Sequence, residues 1–116
     1  MKRFVIAALL GTGLAALNAV AAVAAGANPF DGNWAEVIVG ENKVCDVNVT
    51  TSFTVSNGHL SQPNSSGEVS PNGSARGTAS GNGVDATWTG HFAGNKASGR
   101  FKRTDGCVGR WSAVRQ

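Results

Sequence analysis

From about residue 33 onward the chain alternates apolar and polar residues with a period of two, and no stretch of ten or more residues carries helical spacing. Alternation of this kind marks strands with one buried face and one wet face. The clearest run sets Cys45, Val47, Val49, Thr51, Phe53 and Val55 against Asp46, Asn48, Thr50, Ser52 and Thr54. A second sets Val84, Ala86, Trp88, Gly90 and Phe92 against Asp85, Thr87, Thr89 and His91. The last two repeat the design, with Ala97, Gly99 and Phe101 on one face of the first and Cys107, Gly109, Trp111 and Ala113 on one face of the second.

Turn residues punctuate these runs at short intervals, among them Asn57-Gly58, Asn72-Gly73, Asn82-Gly83, Gly94-Asn95 and Asp105-Gly106. Asn-Gly and Asp-Gly tolerate the positive φ of tight hairpins. The runs between them predict about eight strands, near 33–39, 44–56, 59–62, 66–70, 74–80, 84–92, 97–103 and 107–115. Connections this short make neighbours antiparallel, so the expected fold is all-β: an up-and-down meander closing into a small barrel, with a two-sheet β-sandwich as the alternative. The weakest stretch is 61–83, rich in Ser, Gly and Asn, with only Val69, Ala75 and Ala79 as apolar anchors. Short strands are favoured there over a loop because Pro71-Asn72-Gly73 and Gly81-Asn82-Gly83 fall where hairpins are needed.

The N-terminus reads differently. Lys2 and Arg3 precede an apolar run from Phe4 that decays into small residues near Ala25, the parts of a signal peptide, with cleavage expected after Ala24. Residues 1–24 are therefore read as signal peptide and 25–116 as a single domain, with no membrane span after cleavage and a periplasmic or secreted destination. Losing Lys2 and Arg3 leaves eight basic residues against seven acidic, so the general basic charge of a nucleic-acid binder is absent. The only cysteines, Cys45 and Cys107, are expected to be bonded, as suits a small exported domain. In a closed barrel strand one lies between them, and two strand spacings come to about 9.5 Å, more than the roughly 7 Å a disulfide spans between Cα atoms. The bond must then sit beyond the end of strand one, near Gly40, or the barrel must be open.

Inward positions mix bulky Trp34, Phe53, Trp88, Phe92, Phe101 and Trp111 with very small Gly77, Ala86, Gly90, Gly99 and Gly109. Glycine weakens a strand, so it needs a reason. Either it makes room for a Trp in a narrow barrel, the favoured reading, or it leaves a slot for a flat ligand, with Trp88, Phe92 and Trp111 as ligand-facing candidates.

Gly32-Asn33-Trp34, at the start of the first strand, resembles the Gly-x-Trp opening of the calycin barrels, the lipocalin and avidin relatives. That resemblance implies that Gly32 and Trp34 close the barrel floor with a basic residue from the end of the last strand over the ring. Arg115, which shares parity with Trp111, is the candidate. Trp88-Thr89-Gly90-His91-Phe92 is similar to an avidin strand, but the Tyr, Ser and Asp that hold biotin's ring have no counterpart, so biotin binding is not implied. The whole layout, ending in Cys-x-Gly-x-Trp-x-Ala-x-Arg, is similar to small exported bacterial proteins that are uncharacterised.

Catalytic chemistry finds little support. A hydrolase needs nucleophile, base and orienting group together, and neither His59 nor His91 has a reason to meet an activated Ser. Two distant His and an oxidised Cys pair lack metal-ligand spacing, and no cofactor is implied. Arg100, Lys102 and Arg110 point outward on adjacent strands; they are either a solvated face paired with Glu36 across the seam or a surface for an anionic partner. The sequence thus supports a non-enzymatic exported barrel binding a small ligand or a cell-envelope component. The alternatives are a secreted enzyme inhibitor, using hairpins such as Pro71 to Arg76 or Gly81 to Asp85 on a target protein, and a structural envelope protein.

Overall fold

In the computed structural model, which describes residues 28–116, each alternating run pairs with the next along the chain. The expected signal peptide lies outside the described residues. The strands are β1 (Gly32–Gly40), β2 (Asn48–Ser56), β3 (His59–Gln62), β4 (Ser65–Val69), β5 (Ser74–Gly81), β6 (Val84–Ala93), β7 (Lys96–Arg103) and β8 (Val108–Arg115). All neighbours are antiparallel, and β8 returns to β1 with Trp34 opposite Arg115 and Gly40 opposite Gly109, so the sheet closes into an eight-stranded barrel and not a sandwich. The Ser- and Gly-rich stretch forms β3, β4 and β5. Its hairpins turn through left-handed backbone, with φ of 53° and 77° at Asn57 and Gly58 and 53° and 78° at Asn82 and Gly83. The meander leaves one barrel end to the start of β1, the end of β8 and three hairpins, here called the floor, and the other to the β1–β2, β3–β4, β5–β6 and β7–β8 connections, here called the mouth.

The floor is sealed by aromatic residues. Trp34 is fully buried; its ring meets Phe92 edge-on with centroids 4.9 Å apart and lies nearly parallel to Phe53 at 6.1 Å. Phe30, which precedes β1, packs against Phe92 at 5.5 Å and accepts the Trp34 indole N–H at its carbonyl, 3.0 Å away. From outside, the Arg115 guanidinium lies 4.8 Å from the Trp34 ring centroid and donates to the carbonyls of Asp31 (2.6 Å) and Pro29 (2.9 Å). Asp31 in turn accepts the backbone N–H groups of Asn57 and Gly58 at 2.9 and 3.0 Å, which ties the entering segment to the β2–β3 turn.

At the mouth, β2 begins at Asn48 and not near residue 44, because residues 41–47 leave the ladder to cross the rim. Val49, on the inward parity, is consequently 46% exposed. The departure resolves the disulfide geometry: Cys45 and Cys107 are bonded with Cα atoms 4.6 Å apart in a closed barrel, as the bond passes the last residue of β1. A Cβ at Gly40 would lie 2.6 Å from the Cys45 sulfur, so glycine is what allows that passage.

Between floor and mouth, glycines seat the remaining large rings. Trp88 on β6 lies across Gly77 on β5 and Gly67 on β4, which face each other in the register. Trp111 on β8 lies across Gly99 on β7 and Gly90 on β6 in the same way, with a Cβ at Gly99 placed 2.6 Å from the indole nitrogen. A side chain at these glycines would collide with the rings, so small residues in this barrel make room for its own tryptophans.

Candidate ligand cavity at the barrel mouth

With the floor closed and the middle filled, the barrel interior keeps its open space at the mouth. A cavity of about 240 Å³ opens there, walled by Ile38, Leu60, Trp88, Phe101 and Trp111, with the Glu36 side chain among them. Gln62, Ser65 and Arg103 stand where it widens into a shallow depression of about 840 Å³ between the mouth hairpins. Mostly apolar walls with a few convergent polar groups are the usual make-up of a small-molecule pocket, and the inner volume is just below the usual range, the size for a small ligand.

Glu36 is the residue that charge reasoning misplaces. It shares the inward parity of Trp34 and Ile38 on β1 and is only 7% exposed. Its expected pairing with the outer cations does not occur. Glu41, just past the end of β1, takes that role and receives Arg100 at 2.8 Å and Arg110 at 3.4 Å. Lys102 is exposed beside them. Among the described residues Glu36 enters no ion pair. Burial raises its carboxyl above the ordinary value of 4.5, and a hydrogen bond from the Gln62 amide, 2.8 Å from Oε1, draws it partly back.

The other polar groups of the site are more completely engaged. The Trp88 indole N–H donates to Ser65 Oγ at 3.1 Å, and Ser65 donates to the Thr78 carbonyl at 3.1 Å. The Trp111 indole N–H donates to the Thr89 carbonyl at 3.1 Å. Arg103, inward-facing at the end of β7, gives its guanidinium to Asp105, with Nε 3.1 Å from Oδ1 and Nη2 on Oδ2. The Arg103 hydrogen bond, followed by the Cys107 backbone N–H, holds the Asp105 carboxyl below its ordinary value.

The three ring residues expected to face a ligand lie at different depths, with Phe92 beneath Trp111 at 6.1 Å between centroids. Trp88 and Trp111 line the mouth cavity, whereas Phe92 is 1% exposed and packs on Phe30, Trp34 and Phe53 at the floor. Phe92 does not line this cavity. β6 runs from mouth to floor, and Phe92 lies four residues beyond Trp88, about 13 Å along the strand.

A buried carboxylate with a single amide donor costs stability, and the linkage sign follows from its raised value. Between the unfolded and folded values the native state holds more protons, so ionisation of Glu36 lowers stability progressively as pH rises through that window and has no effect below it. Glu36→Gln, which keeps the shape, is expected to raise stability at pH 7 by about 1 kcal/mol, seen as a thermal midpoint higher by about 4–8 °C. The gain should fade as pH is lowered below the usual carboxylate range; a loss of stability at pH 7 would contradict the assignment.

No protein-family model matches the chain, and neither the curated proteins nor the solved structures give a match.

Proposed function

We propose that the protein is an exported, non-enzymatic barrel that binds a small molecule in its mouth cavity. The observation that carries this reading is the asymmetry of the barrel interior: the floor is packed shut by Trp34, Phe92 and Phe30, while the mouth keeps about 240 Å³ walled by two tryptophans around a buried carboxyl. A barrel needing only to be stable would fill that volume with side chains. The Cys45–Cys107 bond supports maturation in an oxidising compartment, in keeping with a periplasmic or secreted protein. The Gly-x-Trp opening at Gly32 and Trp34, with Arg115 over the ring, is consistent with a calycin-like carrier.

Mass spectrometry of the protein purified from its own envelope or medium, under native and then denaturing conditions, tests the proposal. The expected result is an added native mass of small-molecule size that disappears on denaturation. An added mass of protein size would overturn the small-molecule reading in favour of an inhibitor or partner-binding role. A bare chain that also takes up nothing from a concentrated extract of its source would overturn it as well.

A further inference from the structure

The polar groups inside the cavity have a one-sided chemistry. Gln62 uses both amide hydrogens, one on Glu36 Oε1 at 2.8 Å and one on the Ser52 carbonyl at 3.1 Å. The reverse orientation of that amide would set its oxygen against two acceptors, so the network fixes which end points where. Among the described residues, neither Glu36 Oε2 nor the Gln62 side-chain oxygen then receives a hydrogen bond, and both belong to residues that line the cavity. The inner polar spot thus offers acceptors only.

Among the described residues no cation pairs with Glu36. Arg103 is the cation lining the cavity, and its guanidinium is held by both oxygens of Asp105. A carboxylate 7% exposed and unpaired among aromatic walls is best matched by a group that brings both N–H donors and positive charge, because the low-dielectric surroundings strengthen that pairing. Trp88 and Trp111, 5.8 Å apart at 83°, add aromatic surface on which cations are favourably placed. An anionic ligand would face the carboxylate directly and be repelled.

We infer that the cavity selects a small, largely apolar molecule bearing a protonated nitrogen, an ammonium or an amidinium, which sits on Glu36 and the Gln62 oxygen while its apolar body lies against Trp88, Trp111 and Phe101. This inference rests on the cavity being a binding site. It names the ligand's class and makes Glu36 the residue that sets specificity.

Three one-ring probes of similar size test it by calorimetry at pH 7: phenethylamine, protonated at that pH, the neutral 2-phenylethanol, and the anionic 3-phenylpropionate. Phenethylamine is expected to bind at least ten-fold more tightly than the alcohol, with no measurable binding of the acid. Glu36→Gln, its fold checked by near-ultraviolet circular dichroism, should remove the discrimination so that amine and alcohol bind alike. Equal binding of amine and alcohol to the unaltered protein, or tightest binding of the acid, would overturn the assigned ligand class and leave the binding site standing. Failure of all three to bind would overturn the binding site and this inference together.

Discussion

Replacing Trp34 by alanine is expected to cost about 3–5 kcal/mol of folding stability, the usual range for deleting a buried aromatic side chain. Three losses coincide at that position. The fully buried ring leaves a hole between Phe53 and Phe92, the Phe30 carbonyl loses its indole donor, and Arg115 loses the surface beneath its guanidinium. The N-terminal segment that plugs the floor depends on the same groups, so the damage should spread to Phe30 and Asp31. Domains of this size hold only about 5–15 kcal/mol in total, and the variant should be marginal at physiological temperature. Urea denaturation followed by circular dichroism measures the effect, and a loss under 1 kcal/mol would remove Trp34 from its place as floor.

The second large effect concerns the opposite end. Cys45 and Cys107 close a loop of 62 residues, for which the chain-entropy model gives about 4 kcal/mol. Cys45→Ala combined with Cys107→Ala should lower stability by about that amount. The loss should be felt first in residues 41–47, which would then be held to the rim by weaker ties: Asn42 Nδ2 to the Gly106 carbonyl at 2.9 Å and the Glu41 N–H to the Val108 carbonyl at 2.8 Å. Hydrogen exchange should accelerate at the mouth while β1, β2 and β6 near Trp34 stay protected. Denaturation curves and an exchange map check both halves, and a stability change under 1 kcal/mol with an unaltered mouth would contradict this account.

The barrel was largely legible because its signals are local. Alternation and Asn-Gly turns depend on residues a few positions apart, and short connections leave an antiparallel meander as the simple topology. The disulfide was legible from the two cysteines of a small exported domain, and its place through geometry: two cysteines on either side of a strand cannot bond unless that strand ends, and β1 ends at Gly40. The site was less legible because alternation reports which face a residue takes and not its depth. Trp88 and Phe92 share a face, yet one borders the cavity and the other lies in the floor. Parity with Trp34 and Ile38 places Glu36 inside, whereas charge complementarity with Arg100, Lys102 and Arg110 argues for outside. The charge argument fails because Glu41, beyond the strand, reaches both arginines. Gln62 and Arg103 are inward by the same parity as Leu60 and Phe101, but only the closed barrel brings them to one opening. The seats formed by Gly67 with Gly77 and by Gly90 with Gly99 depend on cross-strand register, which a single strand's sequence does not carry.

The mouth cavity, and no other part of the barrel, is proposed to receive a small molecule. The protein's three tryptophans report on it directly, since Trp88 and Trp111 border the cavity and Trp34 is sealed in the floor. Two-dimensional proton–nitrogen spectra of labelled protein resolve their indole N–H signals during titration with the one-ring probes. The indole signals of Trp88 and Trp111 should shift with any probe that binds, while that of Trp34 stays in place. Shifts confined to Trp34 or to outward-facing residues, or no shift with any probe, would contradict a ligand cavity at the mouth.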